Sequence, residues 1–313
     1  MQDLAAYSET TIRQGSKSFA KAAMLFDPEI RQSVTMLYAW CRYCDDVIDG
    51  QVLGHGQEEL GVEEKRARLR MLQDETDRIC NGGTSDIPAF AALSEVVKRH
   101  GVERRHLFEL LEGFGLDAEE ARFCTIDDTL HYCYHVAGVV GVMMAKIMGA
   151  TDREVMHRAA DLGIAFQLTN IARDVIEDMQ VGRCYLPEQW LARSGISRDT
   201  MHLPQHHAAL HALACELVAL AENYYKSARI GMAQLPWRCA WAIASALLIY
   251  RDIGLRVRAA EPQAWNGRMQ VSGASKLAHV CRGWFVATAA VARRRRSAAG
   301  PVARAGLWTK ADS

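Results

Sequence analysis

The chain has 313 residues, 50% hydrophobic and 24% charged, with Lys plus Arg and Asp plus Glu equal at 37 each. That composition is globular, and the balanced charge lacks the broad basic field that favours nucleic acid, so no nucleic-acid partner is expected and any charge-driven function must be local. Nine cysteines without a leading signal segment read as free thiols in a reducing cytoplasm, and Cys41 and Cys44, the only CxxC pair, lack the second pair or histidine of a zinc site.

Apolar residues recur at spacings of three and four along most of the chain, and period-two alternation is scarce, so the expected fold is all-α. Long helices are predicted at residues 28–49, 125–149 and 153–178, with turn-rich breaks at 50–57, 81–88, 179–187, 195–204 and 231–236. The longest apolar runs, 136–145 and 239–250, fall short of the roughly 20 residues that span a bilayer. With no repeat or linker, one domain is expected over residues 1–290, followed at 291–313 by a basic, flexible tail that opens with Arg293-Arg294-Arg295-Arg296.

The chemistry begins at Asp45-Asp46-Val47-Ile48-Asp49. Residues four apart share a helix face, so Asp45 and Asp49 point the same way, with Arg42 and Tyr38 further back on that face. A second stripe follows in Gln167-Leu168-Thr169-Asn170-Ile171-Ala172-Arg173-Asp174-Val175-Ile176-Glu177-Asp178, where Asn170, Asp174 and Asp178 recur every fourth residue among core-forming neighbours. Like charges at that spacing destabilise a helix, and burying them costs several kcal/mol unless a positive partner compensates. Salt bridges to Arg42 and Arg173 are one source of compensation. The other is a hard divalent cation, Mg²⁺ or Mn²⁺, which takes carboxylate and amide oxygens and shares its remaining positions with water and phosphate.

These two stripes, together with Gly15-Ser16-Lys17-Ser18-Phe19, Tyr132-Cys133-Tyr134-His135-Val136-Ala137-Gly138-Val139-Val140-Gly141 and Gly182-Arg183-Cys184-Tyr185-Leu186-Pro187, resemble the squalene/phytoene synthase family over about residues 15–254, most of all its bacterial phytoene synthases. The resemblance implies an all-α isoprenoid-synthase bundle around a deep apolar cavity, with the two aspartate motifs facing each other. It implies metal binding by Asp45 and Asp49 on one wall and by Asn170, Asp174 and Asp178 on the other. Arg42 and Arg173 would hold diphosphate oxygens, with Ser16, Ser18 and Gln167 as further substrate contacts. Tyr38 and Tyr132 would lie near the reacting carbons and Tyr250 near the phosphates.

The implied reaction joins two geranylgeranyl diphosphates head to head through a cyclopropyl diphosphate. No NADPH is expected, because no GxGxxG follows a strand. A C15-using, squalene-type synthase is the alternative within the family. Asp45-Asp46-x-x-Asp49 also satisfies the DDxxD of head-to-tail elongators and cyclases, although the second stripe fits the head-to-head signature better. Glu103-x-x-His106 and Glu154-x-x-His157 could serve a di-iron bundle, but their charged surroundings read as exposed first turns of helices. A non-catalytic assembly factor would have to retain every aspartate without using it. Gly138, Gly141, Ala145 and Ala165 are candidates for making room for a C20 tail, or for close helix packing alone. The apolar substrate and the basic tail together predict peripheral attachment to the inner membrane from the cytoplasmic side.

Overall fold

The structure, a computed structural model, describes residues 3–51, 60–260, 265, 269–296, 304 and 306–310, without the side chains of residues 17, 18, 295 and 296. Among them are helices and no strands. The helices are α1 (Leu4–Gly15), α2 (Lys17–Ala23), α3 (Pro28–Asp49), α4 (Val62–Cys80), α5 (Pro88–His100), α6 (Arg104–Ala118), α7 (Ile126–Cys133), α8 (Val139–Ile147), α9 (Arg153–Gln180), α10 (Glu188–Arg193), α11 (His207–Met232), α12 (Trp237–Ala259) and α13 (Gly273–Arg296).

Local chemistry sets the ends of the helices that build the site. Pro28 opens α3 with a pre-set φ, and Gly50 closes it in the left-handed conformation at φ 63°. The Asp152 carboxylate accepts the Glu154 N–H at 2.7 Å to start α9. At α7 a capping box joins Thr125 and Asp128, each side chain bonding the other's backbone N–H.

The segment predicted as one helix over 125–149 contains an irregularity that periodicity did not reveal. Between α7 and α8 the chain widens into a π-helix over Tyr134–Gly138. Such widened turns cluster at functional sites. Both the widened turn and α8 lie close to α9: a Cβ added at Gly141 would strike the Ala159 carbonyl oxygen, and one at Gly163 the Ala137 carbonyl oxygen. Glycine is required at both positions for that approach.

Two apolar clusters form around these elements. One gathers α3, α5, α6 and α8 around Trp40, Phe90 and Leu107, and the other gathers α9 and α11 around Leu168, Leu217 and Tyr224. On the outer side α12 packs against α13. The expected boundary at residue 290 falls inside α13, which continues to Arg296. Arg304 and Lys310, expected in a flexible tail, are docked on the body: Arg304 grips Asp161 at 2.8 and 2.5 Å, and Lys310 reaches Glu109 at 2.9 Å. The cause lies in α9, where the fully buried Asp161 needs a cation.

Candidate active site

α3 and α9 bring the two carboxylate stripes to a common mouth. Arg183, just beyond α9, donates Nη1 to Asp49 Oδ2 of α3 at 3.1 Å and pairs with Asp49 through Nη2 as well, linking the two walls. Between them lies Asp117 from the end of α6, whose carboxylate accepts the Tyr132 hydroxyl at 3.0 Å and the Tyr185 hydroxyl at 2.8 Å. Tyr132 is therefore brought to the mouth as a support for Asp117, stacked on Tyr185, and is not among the residues lining the apolar cavity below.

Arg42 donates Nε and Nη2 to Asp46 Oδ1 at 3.0 and 2.5 Å and lies 3.2 Å from Asp45. Arg173 is held by the adjacent Asp174 carboxylate. Each arginine is thus engaged with an acid of its own helix.

The carboxylates are crowded. Burial, then the Asp49 charge, pushes Asp45 up to about 7. Burial, then the Asp174 charge, pushes Asp178 up to about 7. Asp117 is pushed up to about 6 by burial, against the lowering influence of Arg183. Asn170 Oδ1 is buried without a hydrogen-bond partner, while its amide nitrogen donates to Gln167 at 3.3 Å. Arg42 and Arg183 only partly offset the crowding at Asp45 and Asp178, and the Asn170 oxygen has no partner at all, a set of hard oxygens that suits a divalent cation. Among the described residues no three His, Cys, Asp or Glu side chains already converge as a metal cluster.

Two cavities meet this mouth. A polar cleft of about 330 Å³ is lined by Asp49, Lys65, Asp117, Arg183 and Arg198 among others. An apolar cavity of about 310 Å³ runs inward between α3, α8, α9, α11 and α12. Its upper rim carries Ser16, Tyr38, Gln167, Asn170 and Tyr250, so five expected site residues share one opening. Phe19 stacks on Tyr38 at 5.5 Å and Phe166 on Tyr250 at 4.2 Å, placing π faces beside the rim. Ser16 also caps α2 through the Phe19 N–H. The Ser18 side chain lies outside the described residues. Of the small residues proposed to make room, Gly141 and Ala145 line the cavity, whereas Gly138 and Ala165 pack away from it.

Motif reading assigned no role to Asp117, Arg183 or Tyr185. Arg183 and Tyr185 follow the second stripe directly, so their signal was present. Asp117 is a lone acid ending an apolar helix, and nothing in its local spacing distinguishes it.

The two ExxH elements also come out differently from expectation. His106 is buried, with Nδ1 unpartnered, and with Glu103 and His157 it lines a separate polar cavity of about 420 Å³.

The sequence matches the squalene/phytoene synthase family over residues 12–275. This chain belongs to the squalene/phytoene synthase family. A 15-cis-phytoene synthase of Paracoccus sp. is 49% identical over 311 residues, with 99% of each chain covered. The phytoene synthase of Pseudescherichia vulneris is 46% identical over 304 residues, 97% of each. Among solved structures, a dehydrosqualene synthase in complex with a ligand superposes with a TM-score of 0.81 at 32% identity, covering 92% of this chain and 98% of that one. In a squalene/phytoene synthase the facing aspartate stripes and the cavity beneath them form the candidate active site.

Proposed function

We propose that the chain is a phytoene synthase that joins two geranylgeranyl diphosphates head to head, releasing two diphosphates and two protons. The observation that carries this reading is an apolar cavity whose rim takes Tyr38 from one carboxylate-bearing helix and Gln167 and Asn170 from the other, in a chain that aligns over 99% of its length with a 15-cis-phytoene synthase. Asp45 and Asp49 on α3 and Asn170, Asp174 and Asp178 on α9 would hold Mg²⁺ or Mn²⁺. The ions would supply positive charge to the departing diphosphate oxygens.

The chain's own residues do the rest. Arg42, Arg173 and Arg183 stand where a trianionic leaving group needs cations, and a carboxylate that turns to metal frees its arginine for phosphate. One allylic C–O bond breaks, and the C2=C3 π bond of the second substrate attacks the resulting C1 cation. Loss of a proton closes the cyclopropane of prephytoene diphosphate. A second C–O cleavage starts the rearrangement that opens the ring, and a second proton loss leaves the central double bond. Tyr38, Phe166 and Tyr250 face these cations, each desolvated contact being worth about 2 kcal/mol. The apolar wall excludes the water that would otherwise yield an alcohol. No reductant enters this balance.

The test is incubation with Mg²⁺ and either C15 or C20 diphosphate alone, with chromatography of the hydrocarbons. A C40 product from the C20 substrate is expected. Mainly C30 product from the C15 substrate would replace the reading with that of the dehydrosqualene synthase it superposes on.

No helix among the described residues is long and apolar enough to cross a membrane. Attachment is peripheral in this proposal and uses α13, where Leu277, Trp284 and Phe285 are 65%, 41% and 67% exposed on a helix that also carries Lys276, Arg282, Arg293 and Arg294. Aromatic and basic side chains together suit an anionic lipid surface. Flotation with anionic vesicles should fall when Trp284 and Phe285 become Ser. Undiminished flotation would remove α13 from this role.

A further inference from the structure

Far from the aspartates, the lining of the apolar cavity includes an arginine. Arg158 lies on α9 twelve residues before Asn170, about 18 Å along the axis at the helical rise, and lines the cavity together with Met148, Val155, Met232 and Leu235. It is 4% exposed. α11 presses on its stem at Gly231, where an added Cβ would come within 2.6 Å of the Arg158 Cβ. Its guanidinium is drawn aside: Nη1 donates to Ser227 Oγ at 3.1 Å and Nη2 to Glu154 at 3.3 Å. Ser227 in turn donates to Asp161 Oδ2 at 2.5 Å, and Arg304 clamps both Asp161 oxygens. On its far side Arg158 borders a surface crevice shared with Ser227, Arg304, Gly306 and Leu307.

A charged side chain beside a hydrocarbon cavity is costly unless its head is held in polar company. The relay Arg304–Asp161–Ser227 supplies that company and thereby sets where the stem lies. We infer that Arg158 is the floor of the prenyl-tail cavity and determines how long a tail fits, with Asp161, Ser227 and Arg304 as its positioning residues. Arg304 is on this account part of the specificity machinery, although it lies beyond the 12–275 span matched to the family. The inference rests on the proposed prenyl-diphosphate function.

Two variants test it in the full-length protein, with C15, C20 and C25 diphosphates in competition. Arg158→Ala opens the floor, and kcat/KM for C25 relative to C20 should rise at least about fivefold, since added buried methylenes each favour binding. Arg304→Gln combined with Asp161→Asn removes both charges of the clamp without leaving either unpaired, and should weaken discrimination among the three lengths at least about threefold. Circular dichroism and melting are recorded alongside, because a purely structural role would lower Tm and leave the ratios untouched. Unchanged ratios in both variants, with the wild type active, would overturn the floor assignment. A wild type that turns over none of the three diphosphates would strike the proposed function itself, and this inference with it.

Discussion

The two ends of α9 hold acids in opposite circumstances. Near its start Asp161 is fully buried, yet every neighbour answers it: Arg304 and Ser227 donate to it, and its pairing is complete within the chain. Near its end Asp178 is crowded by Asp174 and Asp117, Asp117 in turn crowds Asp45 and Asp49 does so too, Asp45 and Asp178 are both pushed up to about 7, and the Asn170 oxygen has no partner. The first arrangement is satisfied by the fold alone. The second is only partly neutralised by Arg42, Arg173 and Arg183 and stays crowded. Burial by itself therefore does not mark a functional acid; deficient compensation does.

The largest expected effect separates the two ends by activity. Asp45→Ala, Asp49→Ala, Asp174→Ala and Asp178→Ala should each lower turnover at least about 100-fold with the helical circular dichroism unchanged, since each removes a metal ligand or its support. Near-normal turnover in any two of them would break the metal-site reading and leave the mouth as a set of internal salt bridges.

Stability should separate them in the reverse order. Asp161→Ala strands Arg304 and the Ser227 hydroxyl and should cost about 3–5 kcal/mol in urea unfolding. Asp178→Asn removes a crowded charge and should leave chelator-treated protein as stable as the wild type, or more so. The pH dependence follows the same logic. A carboxyl whose folded pKa is raised from the usual 3.8 to about 7 favours the folded state while protonated, and that stabilisation is lost as pH rises through about 7. In EDTA, wild-type Tm should fall between about pH 4 and pH 7 and level off above, Asp178→Asn should flatten the fall, and Mg²⁺ at pH 8 should restore the difference. A fall of equal size in wild type and variant would contradict the crowding.

Much of this was legible in the sequence. The period of the apolar residues located α3 and α9, and i,i+4 spacing aligned Asp45 with Asp49 and Asn170 with Asp174 and Asp178. What escaped depends on distance in space. Asp117 joins the mouth from a helix with no motif, and the Tyr134–Gly138 widening leaves the apolar pattern unbroken. The docking of Arg304 could not be read from a basic tail, because its cause is a buried acid 143 positions earlier in the chain. Local spacing reports which side chains share a face, and only packing reports which faces meet.

The smallest expected effect concerns the wall between the two ends. Gly141 and Ala145 both line the cavity from α8, yet they differ in what a larger side chain would meet. At Gly141 the first added carbon collides with the α9 backbone, so Gly141→Ala should destabilise whatever the substrate. Ala145 is fully buried beside the cavity, and a larger side chain there can grow into tail space. Ala145→Phe should therefore spend that space and exclude part of the longer tail. Each buried methylene is worth about 0.8 kcal/mol, so losing room for two of them changes relative binding about tenfold. With C15 and C20 diphosphates in competition, the C30 to C40 product ratio should rise about tenfold in Ala145→Phe, while Ala165→Phe, whose site packs in the α9–α11 core, should lower stability without a matching change in ratio. An unaltered ratio in folded Ala145→Phe would mean that the tail does not pass α8, and would move the specificity-setting wall to α11 and α12.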